Sequence, residues 1–431
     1  VKISTNLEGF KYISDNTKEL DSNSLLLATK QNEQYRADLE HPSITPKELI
    51  SKWALDDIKI IGVTGTNGKT TTTALIYSLL IDLGYPCALQ GTRGVFVNDE
   101  PLENKHMTTP SILETLYNIK RAKEKGAKYF VMEVSSHAIA QDRIEGLEFA
   151  LKVHTNITQD HLDYHKTLKE YKRVKSSFFF DNSLKLINKD EIKNIEFNLD
   201  NAYTYGVEEP ATFKIMAYSL QNGISAVIQY KSEQEAFFSS MMGLFNLYNL
   251  TASIASVKLL TNEPLSKICE VVEYFGGVSG RMELVSQKPL IIVDFAHTPD
   301  GMYRVLDSLK DKELVVVFGA GGNRDKDKRP KMGAVARRFA KKIYLTSDNP
   351  RDEEPQDIVN DILVGLKSKE GVEVILDRRE AIKRAISELR EGEILLILGK
   401  GDEDTQEIKG VKYPFDDREV VREIINSKIL G

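Results

Sequence analysis

Cysteine is almost missing from this chain of 431 residues: Cys87 and Cys269 are the only two, far apart in sequence. That excludes a disulfide framework or a cysteine-based metal site and makes the cytoplasm the expected compartment. Long apolar runs are missing as well. None approaches the roughly 18 residues of a membrane span, so no membrane partner is expected. The first twenty residues, VKISTNLEGFKYISDNTKEL, carry charges throughout and no apolar h-region, so no signal peptide is expected. Charge of one sign is also lacking. Lys+Arg 58 stand against Asp+Glu 64, a net −6 without any long basic block, which removes nucleic acid from the expected partners. No repeat of solenoid or propeller period and no low-complexity segment occurs.

Hydrophobic residues at 41% and charged residues at 28% exclude a mainly disordered chain. At roughly 150 residues per domain the length suggests about three domains. Residues 1–53 form a polar head with one apolar run, Leu25-Leu26-Leu27-Ala28. It is too small to bury much core alone and should lean on the body next to it in the chain. A central body, 54–278, opens with the β-branched strand Ile58-Lys-Ile-Ile-Gly-Val-Thr64. Leu75, Leu79 and Leu83 then recur four apart, with Gly84 as a helix C-cap. A second strand, Tyr129-Phe-Val-Met-Glu-Val134, ends at Ser135. The stretch 201–240 reads as a sheet insertion, and a helix is expected from Asn246 to about Leu260.

In the last body, 279–431, five apolar runs alternate with helical stretches. The runs are Leu290–Asp294, Leu314–Phe318, Ile343–Ser347, Val372–Leu376 and Ile394–Leu398. The helices are expected to start near Pro299, Lys331, Pro355 and Arg379. This alternation predicts an α/β fold with a parallel, doubly wound sheet. Ligands collect beyond the carboxyl ends of such strands. That rule sets Asp294 to His297, Gly319 to Arg324, Asp348 to Arg351 and Gly399 to Glu403 along one rim.

Between the first strand and helix lies Gly65-Thr-Asn-Gly-Lys-Thr-Thr71, the context a phosphate-binding loop requires. Glycines let successive N–H groups turn toward an anion, and the helix N-terminus adds partial positive charge. Lys69 is placed to reach the β- and γ-phosphates and Thr70 to ligate Mg²⁺. The common pattern asks for Gly where Val63 stands, so the shorter G-x-x-G-K-T-T is what remains. A turn that merely connects strand to helix is the plainer alternative, but it has no use for Lys-Thr-Thr at the helix mouth.

This loop resembles the ATP loop of the Mur ligases, ATP-dependent amide-forming enzymes of peptidoglycan synthesis. The resemblance runs through Met132-Glu-Val-Ser-Ser-His137, Thr155-Asn-Ile-Thr-Gln-Asp-His-Leu-Asp-Tyr-His165 and Tyr171-Lys-Arg-Val-Lys175. It continues in Ser279-Gly-Arg-Met-Glu283, Asp294-Phe-Ala-His-Thr-Pro-Asp300 and Gly319-Ala-Gly-Gly-Asn-Arg-Asp-Lys326, and ends in Asp348-Asn-Pro-Arg351 and Gly399-Lys-Gly-Asp-Glu403. It implies three domains: a small N-terminal α/β domain for the uridine nucleotide, a central P-loop-type ATPase domain, and a C-terminal Rossmann-like domain for the amino acid. The last three motifs are similar to those of the branch that adds the third residue of the stem peptide. The implied substrates are ATP, UDP-N-acetylmuramoyl-L-alanyl-D-glutamate and meso-diaminopimelate, with Mg²⁺ as cofactor and a monomer as the acting species. L-Lysine as the added residue, a folylpolyglutamate synthase and a non-catalytic nucleotide-binding module are the alternatives.

The resemblance also distributes roles. Lys69, Glu133, His161 and Lys175 are the implied catalytic residues. Gly65, Thr66, Asn67, Gly68, Lys69, Thr70, Thr71, Arg281, Asp294 and His297 would meet ATP. Thr70, Glu133, His161 and Lys175 would serve the metal. Family members carbamylate the lysine at Lys175 with CO₂, and that modification enters by resemblance alone; without it Lys175 reads as a solvated neighbour of Lys172 and Arg173. Asn16, Thr108, Thr109, Ser135, Gln141 and Arg143 are implied for the muramoyl dipeptide, with Asp15-Asn16-Thr17 departing from the family's usual Asp-Ser-Arg. Arg324, Asp348, Asn349, Pro350, Arg351, Gly399 and Glu403 are implied for diaminopimelate. There Arg351 would grip the distal carboxylate and Glu403 the distal ammonium. The plainer alternative pairs Asp348 with Arg351 across the turn. Asp402 stands where the family usually has His.

Overall fold

A computed structural model describes residues 1–36, 39–103, 107–221 and 223–429. Among the described residues three large sheets follow the chain in order, and a two-stranded hairpin, Thr405–Ile408 with Val411–Pro414, lies near its end. A four-stranded sheet is built from Lys2–Leu7, Phe10–Ser14, Ser24–Leu27 and Ser43–Ile44. Its apolar residues Ile3, Ile13, Leu25, Leu27 and Ile44 join one core with Ile60, Phe130 and Met132 of the central sheet. The head thus leans on its neighbour, as its scarcity of apolar residues requires.

The central sheet has eleven strands. Seven run parallel at its heart, in the spatial order Phe213–Ser219, Ala202–Gly206, Lys185–Asn188, Phe149–His154, Lys59–Thr64, Tyr129–Glu133, Cys87–Gly91. Lys59–Thr64 is buried at every residue but the first, the pattern of a strand covered on both faces. One face is covered by the helices Lys69–Asp82 and Leu244–Thr261, which share an apolar core with Val63, Val131 and Val153. The helix Ile112–Glu124 covers the other.

Residues 202–239 differ from the expected insertion. Their four strands extend the central sheet itself: Ala202–Gly206 continues the parallel ladder, and two antiparallel strands, Ile224–Tyr230 and Glu233–Ser239, close that wing. Alternate residues Ile224, Ala226, Ile228 and Tyr230 are buried in the same core as the helices. The half-polar alternation belongs to an edge with one covered face.

Core membership changes between Val278 and Met282, where the C-terminal body begins. Its six strands lie in the order Glu283–Gln287, Leu290–Asp294, Glu393–Leu398, Glu313–Phe318, Ala340–Leu345, Val372–Val374. All pairs are parallel except the first. Helices Pro299–Asp307, Lys328–Phe339, Pro355–Val364 and Arg378–Glu388 start within three residues of their expected positions. Thr298 caps the first of them through its hydroxyl, and Pro299 and Pro355 fill first-turn positions that need no N–H. Cores on both faces complete the doubly wound layer.

A fully buried ion pair sits behind the rim of this sheet. Arg378 donates from Nε and Nη2 to the two carboxylate oxygens of Asp417, at 2.8 and 2.7 Å, and from Nη2 to the Leu398 carbonyl at 3.1 Å. Leu398 immediately precedes the Gly399–Glu403 loop. Removing one partner of a buried pair strands the other charge. Arg378→Leu should therefore cost about 3–5 kcal/mol of stability in denaturant titration, and the double change Arg378→Leu with Asp417→Leu should recover most of it. Equal losses in single and double variants would show that the pair itself is not the cause.

Candidate active site

The carboxyl ends of the central and C-terminal strands face one cleft of about 850 Å³. Its floor is the phosphate loop. Gly68 caps the helix Lys69–Asp82 with φ +84, a left-handed conformation that favours glycine, and the loop curls back over the helix mouth. The loop is tied to the next strand end: Thr66 N–H donates to the Asn156 carbonyl at 2.7 Å, Asn67 N–H to Asn156 Oδ1 at 3.0 Å, and Thr155 Oγ1 to the Asn67 carbonyl at 2.7 Å. Lys69 Nζ turns inward, donating to the carbonyls of Gly65 and Thr66 at 2.8 Å each.

Lys175 approaches the same loop from below. On the helix Leu168–Ser177 it shares a face with Tyr171, and both are fully buried. Lys175 Nζ donates to the Gly65 carbonyl at 2.8 Å and reaches Thr64 Oγ1 at 3.3 Å. The reading of Lys175 as a solvated lysine therefore fails. Burial, reinforced by the charge of Lys69, holds its amine well below the ordinary lysine range. Tyr171 completes the layer through its hydroxyl, 3.0 Å from Thr66 Oγ1.

Glu133 ends its strand opposite Val63 and receives Thr70 Oγ1 at 2.9 Å and Thr92 N–H at 2.9 Å. Gly91 makes room for it, since a Cβ there would stand 2.3 Å from the carboxylate. His161 enters from the other side with φ +53, its ring 4.9 Å from that of His137. Burial pushes its imidazole down to about 4, against the pull of Asp160, so it is neutral as metal ligation requires. Among the described residues no three His, Cys, Asp or Glu side chains gather as a metal site. The acidic donors are Glu133, with the Thr70 hydroxyl beside it, and Asp160, 3.4 Å from the His161 ring. Such a sparse set suits Mg²⁺, which takes one or two carboxylates and completes its shell with phosphates and water.

At one end of the cleft lie Thr108, Thr109, Ser135 and Arg143. Arg143 donates to the Thr109 carbonyl at 2.9 Å and to Gln141 Oε1 at 2.5 Å. Gln141 does not line the cleft itself; it orients Arg143. Asn16 also stands away from it, capping a short 3-10 turn by accepting from Lys18 N–H and donating to Glu19.

The opposite wall is the C-terminal rim, and it brings together Arg281, Asp294, His297, Arg324, Asp348, Asn349, Arg351, Gly399 and Glu403. Arg281 lies over the Phe295 ring at 4.1 Å. Asp294 is committed to the backbone, accepting from Met282 and Ala296 N–H at 2.7 Å each, and burial pushes its carboxyl up against the pull of Arg281. Arg351 does not pair with Asp348. It donates to the Gly322 carbonyl at 2.9 Å and its Nε lies 3.2 Å from the Glu407 carboxylate. Asn349 donates to Glu403 at 2.8 Å. Pro350 stays behind the rim. Residues absent from the expected set hold the wall from behind. Lys400 is the clearest, inside the Gly399–Glu403 motif itself; Glu407 pairs Arg351. Asp300, on the Asp294–Asp300 motif, accepts from Asn67 at 2.9 Å and Thr158 at 3.1 Å and so ties the two bodies together.

A phosphate loop, a strand-end carboxylate and a charged rim face one another across one cleft, the parts that an ATP-dependent amide-forming ligase requires. Residues 63–257 match the model of the Mur ligase middle domain, and residues 280–401 that of the Mur ligase glutamate ligase domain. The UDP-N-acetylmuramoyl-L-alanyl-D-glutamate–2,6-diaminopimelate ligase of Wolinella succinogenes is 52% identical over 425 residues, covering 98% of each chain. That of Helicobacter hepaticus is 49% identical over 433 residues, covering 95% of this chain and 92% of its own. A solved ligase of the same name is 31% identical with a TM-score of 0.67, covering 97% of this chain and 95% of that one. The chain belongs to the Mur ligase family.

Behind Lys175 lies His154, fully buried, with neither ring nitrogen hydrogen-bonded among the described residues. Burial, with the Lys175 charge beside it, pushes it from 6.5 down to about 3. The unfolded chain then binds one more proton than the folded one between those values, so this residue makes stability fall as pH drops from about 6.5 toward about 3. His154→Leu should flatten the stability–pH curve by about 1.4 kcal/mol per pH unit across that window. An unchanged slope in denaturant titrations at pH 6 and pH 5 would rule this out.

Proposed function

We propose that this chain joins meso-diaminopimelate to the γ-carboxyl of D-glutamate in UDP-N-acetylmuramoyl-L-alanyl-D-glutamate, consuming ATP and releasing ADP and phosphate, in peptidoglycan precursor synthesis. The observation that carries the reading is the single cleft, in which the loop Gly65–Thr71, Glu133 and the rim Asp348–Glu403 face one another. The names of the Wolinella and Helicobacter relatives support the choice of substrates. The reading places the reaction in the cytoplasm, carried out by a monomer with no nucleic-acid or membrane partner. It divides the chain at 1–53, 54–278 and 279–431.

Amide formation from a carboxylate and an amine is uphill in water, so the carboxylate must first be phosphorylated. ATP's phosphates would lie on the loop N–H groups at the start of the helix Lys69–Asp82. Lys69 has a flexible stem and would exchange its two carbonyl acceptors for the β/γ-phosphates. The glutamate γ-carboxylate attacks the γ-phosphorus, ADP leaves, and an acyl phosphate forms. The amine of the amino acid held on the rim then attacks the acyl carbon; phosphate departs and the amine loses a proton. Arg143 would orient the dipeptide end, and Arg324 and Arg351 the amino acid. Thr70, Glu133 and His161 would hold Mg²⁺, whose charge offsets the repulsion between carboxylate and phosphates. The depressed Lys175 amine supports its carbamylation, since only the neutral amine reacts with CO₂. The product is an anion that replaces a potential cation next to the metal.

The direct test is phosphate release with ATP, the muramoyl dipeptide and a panel of amino acids. Meso-diaminopimelate should support turnover and L-lysine should lag by about tenfold or more, the scale of one charged hydrogen bond, since Glu407 keeps Arg351 partnered when the ligand brings no second carboxylate. Lys69→Ala should lose acyl-phosphate formation and keep its melting temperature. Equal use of L-lysine would overturn the substrate assignment; wild-type acyl-phosphate formation by Lys69→Ala would overturn the loop's role.

Lys175→Ala gives a separate check on the carbamate. Activity should collapse and partly return when short-chain carboxylic acids are added, because these restore an anion in the vacated space. No recovery at any concentration, in a variant that still binds ATP, would count against a carbamate.

A further inference from the structure

Lys400 is fully buried on the C-terminal rim, and all three of its N–H donors are used. It donates to Glu403 Oε2 at 2.8 Å, to Asn349 Oδ1 at 3.2 Å and to the Thr405 carbonyl at 2.7 Å. Asn349 Oδ1 accepts a second bond, from Glu407 N–H at 2.9 Å. Two donors on that oxygen settle the amide's orientation, so Nδ2 must face Glu403, which it reaches at 2.8 Å. One ammonium therefore fixes two side chains of the amino-acid wall at once. None of the roles assigned to the other rim residues uses it.

We propose that Lys400 is a specificity-determining positioning residue that acts through Glu403 and Asn349 to disfavour amino acids ending in a lone ammonium. The proposal rests on the reading of the rim as the amino-acid site. Glu403 carries one negative charge, and Lys400 already neutralises it from the protein side. A ligand whose far end bears only an ammonium, as L-lysine does, meets a carboxylate with little net attraction left. A far end that carries both ammonium and carboxylate is treated differently. Its ammonium can take the free lone pairs of Glu403, while its carboxylate meets Arg351 and the second N–H of Asn349 Nδ2. The buried cation is thus an element working against the wrong substrate as well as a support for the right one. Glu403, with its side chain 37% accessible, remains open to the cleft while its other face is held.

The test compares kcat/KM for meso-diaminopimelate and L-lysine in wild type, Lys400→Met and the double variant Lys400→Met with Glu403→Gln. In Lys400→Met the diaminopimelate-to-lysine ratio should fall by about tenfold or more, the scale of one charged hydrogen bond. The change should lie in KM for the amino acid, with KM for ATP unmoved. Removing the Glu403 charge as well should bring the ratio back toward wild type, since the double variant, like the wild type, offers a lone ammonium no uncompensated carboxylate. Lys400→Gln, which keeps a donor for the Thr405 carbonyl, supplies the same comparison should Lys400→Met fail to fold. A ratio unchanged in a folded variant, or equal losses for both amino acids, would overturn the inference and leave Lys400 as a packing residue. A wild type that uses neither amino acid would instead overturn the substrate reading.

Discussion

The carbonyl oxygen of Gly65 accepts from two lysines, Lys69 and Lys175, each at 2.8 Å. Two ammonium groups on one oxygen, in a site largely closed to water, are electrostatically unfavourable, and both amines are held below their ordinary range mainly by burial. Glu133 and Asp160 relieve Lys69, and Asp160 alone does so for Lys175, more weakly. The arrangement is short of negative charge. Phosphates above the loop and an anionic modification of Lys175 below it would each supply that charge, and the rest of the central site is disposed to let them. His161 is neutral, Tyr171 is held as a phenol by burial, and the loop is pinned to Asn156 so that its amides keep their direction.

The second requirement is that two bodies meet over this loop. Asp300 stands in the first turn of the helix Pro299–Asp307, fixed by Arg304 at 2.9 Å, and accepts from Asn67 and Thr158 of the central body. A carboxylate there sits at the favourable end of its helix dipole. The contact ties the phosphate loop to the same strand-to-helix turn that carries Asp294 and His297. Movement of the C-terminal body is therefore felt at the nucleotide site through Asn67, a residue of the loop itself.

Much of this was legible in the sequence because it rests on local patterns. G-x-x-G-K-T-T after a β-branched run has one structural context, and the strand end at Glu133 comes from counting along an apolar segment. The C-terminal strands and helices alternate at spacings that point to a parallel, doubly wound sheet, though not to its strand order or to the antiparallel edge strand Glu283–Gln287. Lys175 is a different case. Its four-residue offset from Tyr171 establishes a shared face but not which way the face looks, and Lys172 and Arg173 beside it suggest solvent. Only the packing of that helix under the loop turns the face inward. The partner of Arg351 was equally hidden: Asp348 is close in sequence, whereas Glu407 arrives from the hairpin Thr405–Pro414, whose Glu407 carbonyl also accepts the Arg351 N–H. The stretch 201–240 is legible as sheet, but one-sided burial gives the same alternation wherever the strands attach, so the pattern does not tell that they extend the central sheet. Asn16 caps its own 3-10 turn, a local bond that composition does not reveal.

Both halves of the cleft are preorganised by an internal lysine, yet the two lysines behave differently for a reason visible in their surroundings. Lys69 is partly exposed, it bonds only carbonyls of its own loop, and its stem lies along the cleft wall, so a phosphate can draw it outward at the cost of two neutral acceptors. Lys400 is enclosed, and each of its bonds ends on a different segment: Asn349 from one strand end, Glu403 from its own loop, Thr405 from the start of the hairpin. Drawing it out would undo three connections and strand the Glu403 charge. One lysine is therefore a ligand in waiting and the other a fixed part of the wall. That division matches what each pocket must do. On the proposed reading a nucleotide site would have to follow charge as it moves from ATP to the acyl phosphate, whereas an amino-acid site would have only to present the same shape and charge at every turnover.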